Sequence, residues 1–296
     1  MLEKLKVSVA VFEIRRYQKF QDFSAHVRTF VSDAKLAGSR VLLLPEFLPM
    51  GLLWTNSKAA EVTNETVSSF YREVLTPLYP EFIQTLSFLA KEYDIYIVGA
   101  TYWHEENGAG YNSAFVFKPD GTFERQHKVH LTRGEKAIQT SASQTLNDVF
   151  EIDGVKCGLF VCYDVQFPEL TRHFVSHGAE VIFVPALTEE RGAWREWFSA
   201  HARALENQVY VCVSPLVGDL GIPQDYPVRC MGKAFVACPI DNRMSITDGT
   251  FAESELNEPG LLNIELDLVK LRLSREKGEV RHLRDRRPDF YSTLEN

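Results

Sequence analysis

The stretch Gly158-Leu-Phe-Val-Cys162-Tyr-Asp164-Val-Gln-Phe-Pro168-Glu-Leu170 decides the fold. Its first half is an apolar run of strand length. Pro168 marks a helix start, because proline's fixed φ suits the first helical turn. Cys162 therefore stands on a tight strand-to-helix turn. Such a turn projects its sulfur out of the sheet and aims nearby backbone N–H groups at a substrate oxygen. The same residues also fit a buried strand-end cysteine, since free cysteine is among the most buried residue types. Cys157, on the same strand without the turn, reads as core packing, as do Cys212 and Cys238. Cys230 is expected in a loop, where it can be exposed without being functional.

Strand and helix signals alternate on both sides of this stretch. Lys6–Phe12, Val41–Leu44, Asp94–Ala100, Tyr111–Phe117, Glu180–Pro185, Gln208–Ser214, Met231–Pro239 and Gly260–Leu266 read as strands. Asp22–Leu36, Pro80–Tyr93, Pro168–His177, Trp194–Glu206 and Val269–Lys277 read as helices. Asp120-Gly121 and Asp153-Gly154 are two-residue hairpin signals, so the sheets should be mixed rather than purely parallel. No linker, repeat or low-complexity tract interrupts the pattern. The expectation is an α/β protein with one domain over residues 1–296 and a charged surface tail from about 267.

Composition narrows the function classes. The 296 residues carry 32 basic and 40 acidic side chains, a formal charge of −8, with a pI near 5.6. That balance argues against nucleic acid as a partner, because phosphate binding needs a basic stripe. No apolar run nears the roughly 20 residues that span a bilayer, and the start Met1-Leu2-Glu3-Lys4 lacks a signal peptide's apolar core. Five cysteines without a CxxC pair point to a reducing, cytoplasmic setting. GxGxxG, GxxxxGK[ST] and GxSxG motifs are missing, and His127 and His130 do not form an HExxH pair. Neither a nucleotide phosphate cradle nor a zinc site is expected.

Two other strand ends offer chemistry. Leu42-Leu-Leu-Pro45-Glu46-Phe47 puts a carboxylate directly after a buried strand, where apolar neighbours raise its pKa. A capping or solvated glutamate is the other reading. Arg125-Gln-His-Lys128-Val-His130-Leu131 puts an ammonium on an alternating strand, where an isolated lysine usually faces solvent. The three segments together favour a nucleophile, a base and an oxyanion stabiliser.

On these segments the chain resembles the nitrilase superfamily of carbon–nitrogen hydrolases, which use a Glu–Lys–Cys triad. LLLPEF matches the family's glutamate segment at Glu46, RQHKVHL its lysine segment at Lys128, and CYDxxFPEL its cysteine segment at Cys162. Gly178-Ala-Glu-Val-Ile-Phe-Val-Pro185 and Arg203-Ala-Leu-Glu-Asn-Gln208 extend the likeness over nearly the whole chain. A second family glutamate corresponds to Glu135. Segments such as His130-Leu-Thr, Ser214-Pro215, Asp248-Gly249 and Asn257-Glu-Pro-Gly260 are similar to a branch some of whose members are fused to an acetyltransferase domain, for which this chain has no room. Gln166, where arginine is common, and Gly232-Lys-Ala-Phe, where GxS is usual, depart from the pattern and leave the substrate open.

The resemblance implies an α-β-β-α sandwich of two mixed sheets flanked by helices, a small-molecule amide substrate, no cofactor, and a homodimer or larger oligomer. It also implies roles. Glu46 takes the thiol proton, Cys162 attacks the amide carbonyl, and Lys128 with the Tyr163 backbone N–H holds the oxyanion. Water activated by Glu46 or Glu135 then cleaves the thioester. Nitrile hydrolysis, acyl transfer, and a silent binding protein are the alternatives. Two carboxylates near one lysine and one cysteine can keep Lys128 charged while the thiol stays neutral until substrate binds. Trp54, Tyr102, Trp103, Trp194 and Trp197 are expected in or near loops after strands, where they can line a pocket or an interface. His104, Glu105 and Glu106 are expected in a solvated loop. Arg191 and Arg195 either bind a substrate carboxylate or pair on the surface with Glu189, Glu190 or Glu196.

Overall fold

The computed structural model describes residues 2–293; Met1 and the end of the expected tail, 294–296, lie outside the described residues. β1 (Lys4–Glu13) turns Val7, Val9 and Val11 to one cluster of buried side chains and Ala10 and Phe12 to another. α1 (Phe20–Leu36), β2 (Val41–Leu44) and α2 (Val67–Glu92) follow. β3 (Tyr96–Glu106), β4 (Ala109–Phe117) and β5 (Phe123–His127) form an antiparallel meander whose second turn is at Asp120-Gly121, as expected. After the single-turn α3 (Arg133–Ala137), β6 (Phe150–Ile152) and β7 (Val155–Leu159) make the second hairpin at Asp153-Gly154. A 3-10 turn over Cys162–Gln166 leads into α4 (Pro168–Ser176), then β8 (Val181–Leu187), α5 (Glu190–Asn207) and β9 (Tyr210–Asp219). The chain closes with β10 (Arg229–Cys230), β11 (Phe235–Ala237), β12 (Thr250–Glu253), β13 (Gly260–Asp267), α6 (Leu268–Lys277) and α7 (Pro288–Tyr291).

β5-β4-β3-β2-β1-β13 form one mixed sheet, and β6-β7-β8-β9-β11-β12 form the other. The two meet where Phe12 and Glu13 of β1 pair with Leu216 and Val217 of β9. The expected pair of sheets is thus one hydrogen-bonded surface curled back on itself. One buried cluster fills the space between the halves and continues under α4 and α5. The other seals the outer face of the first half against α1 and α2. That is the α-β-β-α layering. Among the described residues no helix is long and apolar enough to cross a membrane.

Several expectations need correction. α2 begins at Val67, not Pro80, and runs through Pro77 and Pro80. Each proline removes a helical hydrogen bond, but the buried face of Phe70, Tyr71, Val74 and Leu75 keeps the first turns helical. β3 runs on past Ala100 to Glu106, so Tyr102, Trp103 and His104 are fully buried strand residues instead of loop residues. The register shifts between Gly99 and Tyr102, where Ala100 has φ 43°, and this breaks the alternation that the eye follows. His104 bonds Ser113 Oγ at 2.9 Å and stacks on Tyr79. Cys230 is buried in β10, not exposed. The segment beyond 267 starts as a docked helix: Leu268 and Leu271 are buried, and Arg272 grips Glu180 at 2.7 and 2.8 Å.

The strand that delivers Cys162 is packed without slack. A Cβ on Gly158 would sit 2.7 Å from the Phe174 ring and 2.8 Å from Ile182 Cδ1. Overpacking of this kind costs about 1–3 kcal/mol. Gly158→Ala should therefore lower the thermal midpoint by several degrees, and an unchanged midpoint would contradict the packing described.

Candidate active site

Glu46 lies one residue past Pro45, which ends β2. Phe47 follows in the left-handed region at φ 50°, where its N–H donates to Thr101 Oγ1 at 2.8 Å. This pinned kink turns the Glu46 carboxyl inward. Cys162 is also left-handed, at φ 48°. A non-glycine residue there costs about 1–3 kcal/mol, and the surroundings must hold it. Asp164 does so: it accepts from Val161 N–H at 3.2 Å and from His130 N–H at 2.7 Å. One buried carboxylate thus ties the cysteine turn to the segment after β5. Arg203 closes the far end of the turn, donating from Nε to Val165 O at 3.0 Å.

Lys128, immediately after β5, is 1% exposed. Its ammonium lies 2.7 Å from Glu46 Oε1 and 2.8 Å from Glu135 Oε2. Asn112 Nδ2 donates to both glutamates, at 2.8 and 2.9 Å. Glu46 Oε2 accepts Leu187 N–H at 3.0 Å, and Cys162 Sγ lies 3.5 Å from Leu187 O. Glu135 is further occupied by the Thr132 N–H and hydroxyl, at 3.0 and 2.9 Å, as the partner in a capping box that starts α3. Leu187 thus links the Glu46 carboxyl and the Cys162 thiol, and a third buried carboxyl, Glu196, lies on α5, which packs against the cysteine turn.

Burial alone would strip Lys128 of its proton, but Glu46 and Glu135 outweigh it and hold its pKa well above the lysine range. Burial pushes Glu46 up, with Glu135 adding to it against the pull of Lys128. For Glu135 the order reverses: burial opposes ionisation, and Lys128 and Asn112 win, leaving it below the usual carboxylate range. Burial, then Glu46 and Glu196, raise the Cys162 thiol far above its ordinary value. The cluster therefore holds a charged ammonium and a neutral thiol.

The fold thus brings Glu46, Lys128, Glu135 and Cys162 together. Trp54 is half-buried, donates to Leu220 O at 2.8 Å and lies under Arg16. Trp194 is 57% exposed on α5 beside Phe198. Trp194 and Trp197 lie on α5, the helix expected over Trp194–Glu206. Arg191 and Arg195 are exposed, while Glu196, expected as a surface partner for them, is buried. Asn112, Asp164 and Glu196 were missed. Asn112 had a signal, an amide inside the apolar strand YNSAFVF; Glu196 had one in the polar stripe Glu196, Arg203, Asn207 along α5. Among the described residues one trio could hold a metal ion, Asp148, His173 and His177, with ligand atoms within 4.8 Å of one another, and it shares no member with this cluster.

The carbon–nitrogen hydrolase family model matches residues 8–273. The chain belongs to the carbon–nitrogen hydrolase family. It is 31% identical over 288 residues to the "Probable hydrolase YhcX" of Bacillus subtilis (strain 168), covering 97% of this chain and 54% of that relative. The chain thus spans about half of YhcX. It is 28% identical over 276 residues to the omega-amidase NIT2 of Xenopus tropicalis, covering 90% of this chain and 89% of the relative. Among solved structures, a mutant of the Nesterenkonia AN1 amidase from the nitrilase superfamily superposes with a TM-score of 0.74 at 20% identity, over 98% and 97% of the two chains. Another structure of that amidase shows covalent addition of the acetamide moiety of fluoroacetamide at its active site cysteine.

Removing the central cation of this hydrolase has a pH signature. Glu135, held low by Lys128, contributes stability above its ordinary pKa that is lost as pH falls through its folded value. In Lys128→Met both buried carboxylates lose their partner and rise instead, so the variant loses stability as pH rises through the carboxylate range. Urea unfolding should show a deficit of about 3–5 kcal/mol at pH 8 that narrows toward pH 5. A deficit independent of pH would contradict the assignment.

Proposed function

We propose that the protein is an amidase-type hydrolase that cleaves a non-peptide C–N bond of a small molecule through a thioester on Cys162. The observation that carries this reading is a buried thiol on a left-handed turn, set against a carboxylate that is itself clamped to a buried ammonium. Glu46 takes the thiol proton as sulfur attacks the amide carbonyl carbon. An ammonium has three donors, and Lys128 gives two to Glu46 and Glu135, which leaves one for the oxyanion. The N–H of Tyr163, at the start of a helical turn, is the second donor. Collapse expels ammonia or an amine with the proton from Glu46, and water then cleaves the thioester. Glu46 is the better water base, since Asn112, Lys128 and Thr132 already occupy the Glu135 oxygens. Glu135 instead positions Lys128.

The family and the amidase relatives support this reading, and the five free, buried cysteines fit a reducing cytoplasm. The exposed pair Trp194 and Phe198 suits a contact between copies of the chain better than a pocket wall. A panel of small amides, followed by ammonia release, tests the activity. Cys162→Ala should lower it about 10³-fold or more, and Glu46→Gln about 10²-fold or more. Product analysis separates hydrolysis from transfer to an amine, and nitriles in the panel test the nitrile alternative. Unchanged turnover in Cys162→Ala would end the proposal.

A further inference from the structure

Glu196 has no task in the mechanism above. It is 4% exposed on the inner stripe of α5, which packs across the 3-10 turn bearing Cys162. One of its oxygens, Oε1, is buried without a hydrogen-bond partner in the chain. A buried acceptor left unpaired is costly, so a ligand that brings a donor to it is favoured. Further acidic surface, on residues other than Glu196, adjoins the wall of the site. Leu187 touches both Glu46 and Cys162, and the next residues pass into the wall of a groove of about 430 Å³. Glu189, Glu190 and Asp225 line this groove, with Arg229 facing them already paired to Asp219 at 3.3 Å. Thr188 and Met231 exchange hydrogen bonds of 2.9 and 3.1 Å that join the groove to the site wall.

We propose that Glu196 is a cation subsite beside Cys162, approached past the acidic groove, and that the substrates are small amides carrying an ammonium on their acyl part. This rests on the hydrolase reading above. Burial and then the charge of Glu46 push Glu196 up to about 8, which favours its protonated form at neutral pH. An arriving ammonium supplies the missing counter-charge. The carboxyl then releases its proton to solvent and forms an ion pair sheltered from water. A substrate carboxylate finds the opposite: it brings Glu196 no counter-charge, Glu46 and the acidic groove repel it, and Arg191 and Arg195 lie exposed on α5.

The test measures iodoacetamide alkylation of Cys162 by peptide mass spectrometry on the full chain. Competitors are 4-aminobutanamide (cation), pentanamide (neutral) and succinamate (anion), with ammonia release followed in parallel. The cation should protect Cys162 at a concentration about tenfold or more below the other two, and Glu196→Gln should shrink that preference to about threefold or less. Glu189→Gln/Glu190→Gln, on exposed positions, should cause a smaller, salt-dependent loss and keeps the test valid should the buried variant misfold. Equal protection by the neutral or anionic amide, no protection by the cation, or a preference that survives in folded Glu196→Gln would overturn the subsite. Ammonia release from the neutral amide under those outcomes would leave the hydrolase reading standing. A wild-type chain that releases ammonia from no amide in a wide panel would count against that reading instead.

Discussion

An ammonium group buried in a protein is stable only if carboxylates meet it there, and Lys128 is met by two. Glu46 and Glu135 outnumber it, so the cluster keeps an excess of negative charge that the protein must also accommodate. Asn112 answers that excess by donating to both carboxylates from one amide nitrogen. Leu187 N–H adds a donor to Glu46, and the capping box of Thr132 adds two to Glu135. The two glutamates thereby differ in kind. Glu135 is saturated and fixed as an anion, whereas Glu46 is raised in pKa and shares Leu187 with the thiol.

The fold serves this cluster by converging strand ends. Glu46 follows β2, Lys128 follows β5, Cys162 follows β7, and Leu187 ends β8. Ligands of open α/β sheets collect beyond the carboxyl ends of strands, and here both halves of the curled surface contribute. The joint between β1 and β9 makes the two halves continuous, so the site spans one hydrogen-bonded body. Asp164 adds the last link by binding the cysteine turn to the backbone that follows Lys128. Strain at Phe47 and Cys162 is the cost of aiming two side chains inward from strand ends.

Much of this was legible in the sequence, because the pieces are local. The apolar run before Cys162, the Pro168 helix start, and the two Asp-Gly turns specify strand, turn and hairpin without reference to partners. The family resemblance then joined three distant segments that no local pattern connects. What stayed hidden depends on tertiary packing. The first half of α2 is written against by Pro77 and Pro80 and forms because of the face it buries. The end of β3 reads as loop because an irregularity at Ala100 interrupts its alternation. Glu196 looked like a surface charge among Glu189, Glu190, Arg191 and Arg195, and only the rotation of α5 about its axis turns it toward the thiol.

The central claim is that Cys162, within this carboxylate–ammonium cluster, forms the covalent intermediate. Rapid-quench mass spectrometry of the chain turning over small amides tests it most directly. The account predicts a transient mass increase equal to the amide less ammonia, mapping to the peptide that holds Cys162. Turnover with no such adduct, or an adduct on Cys157, Cys212, Cys230 or Cys238, would contradict it.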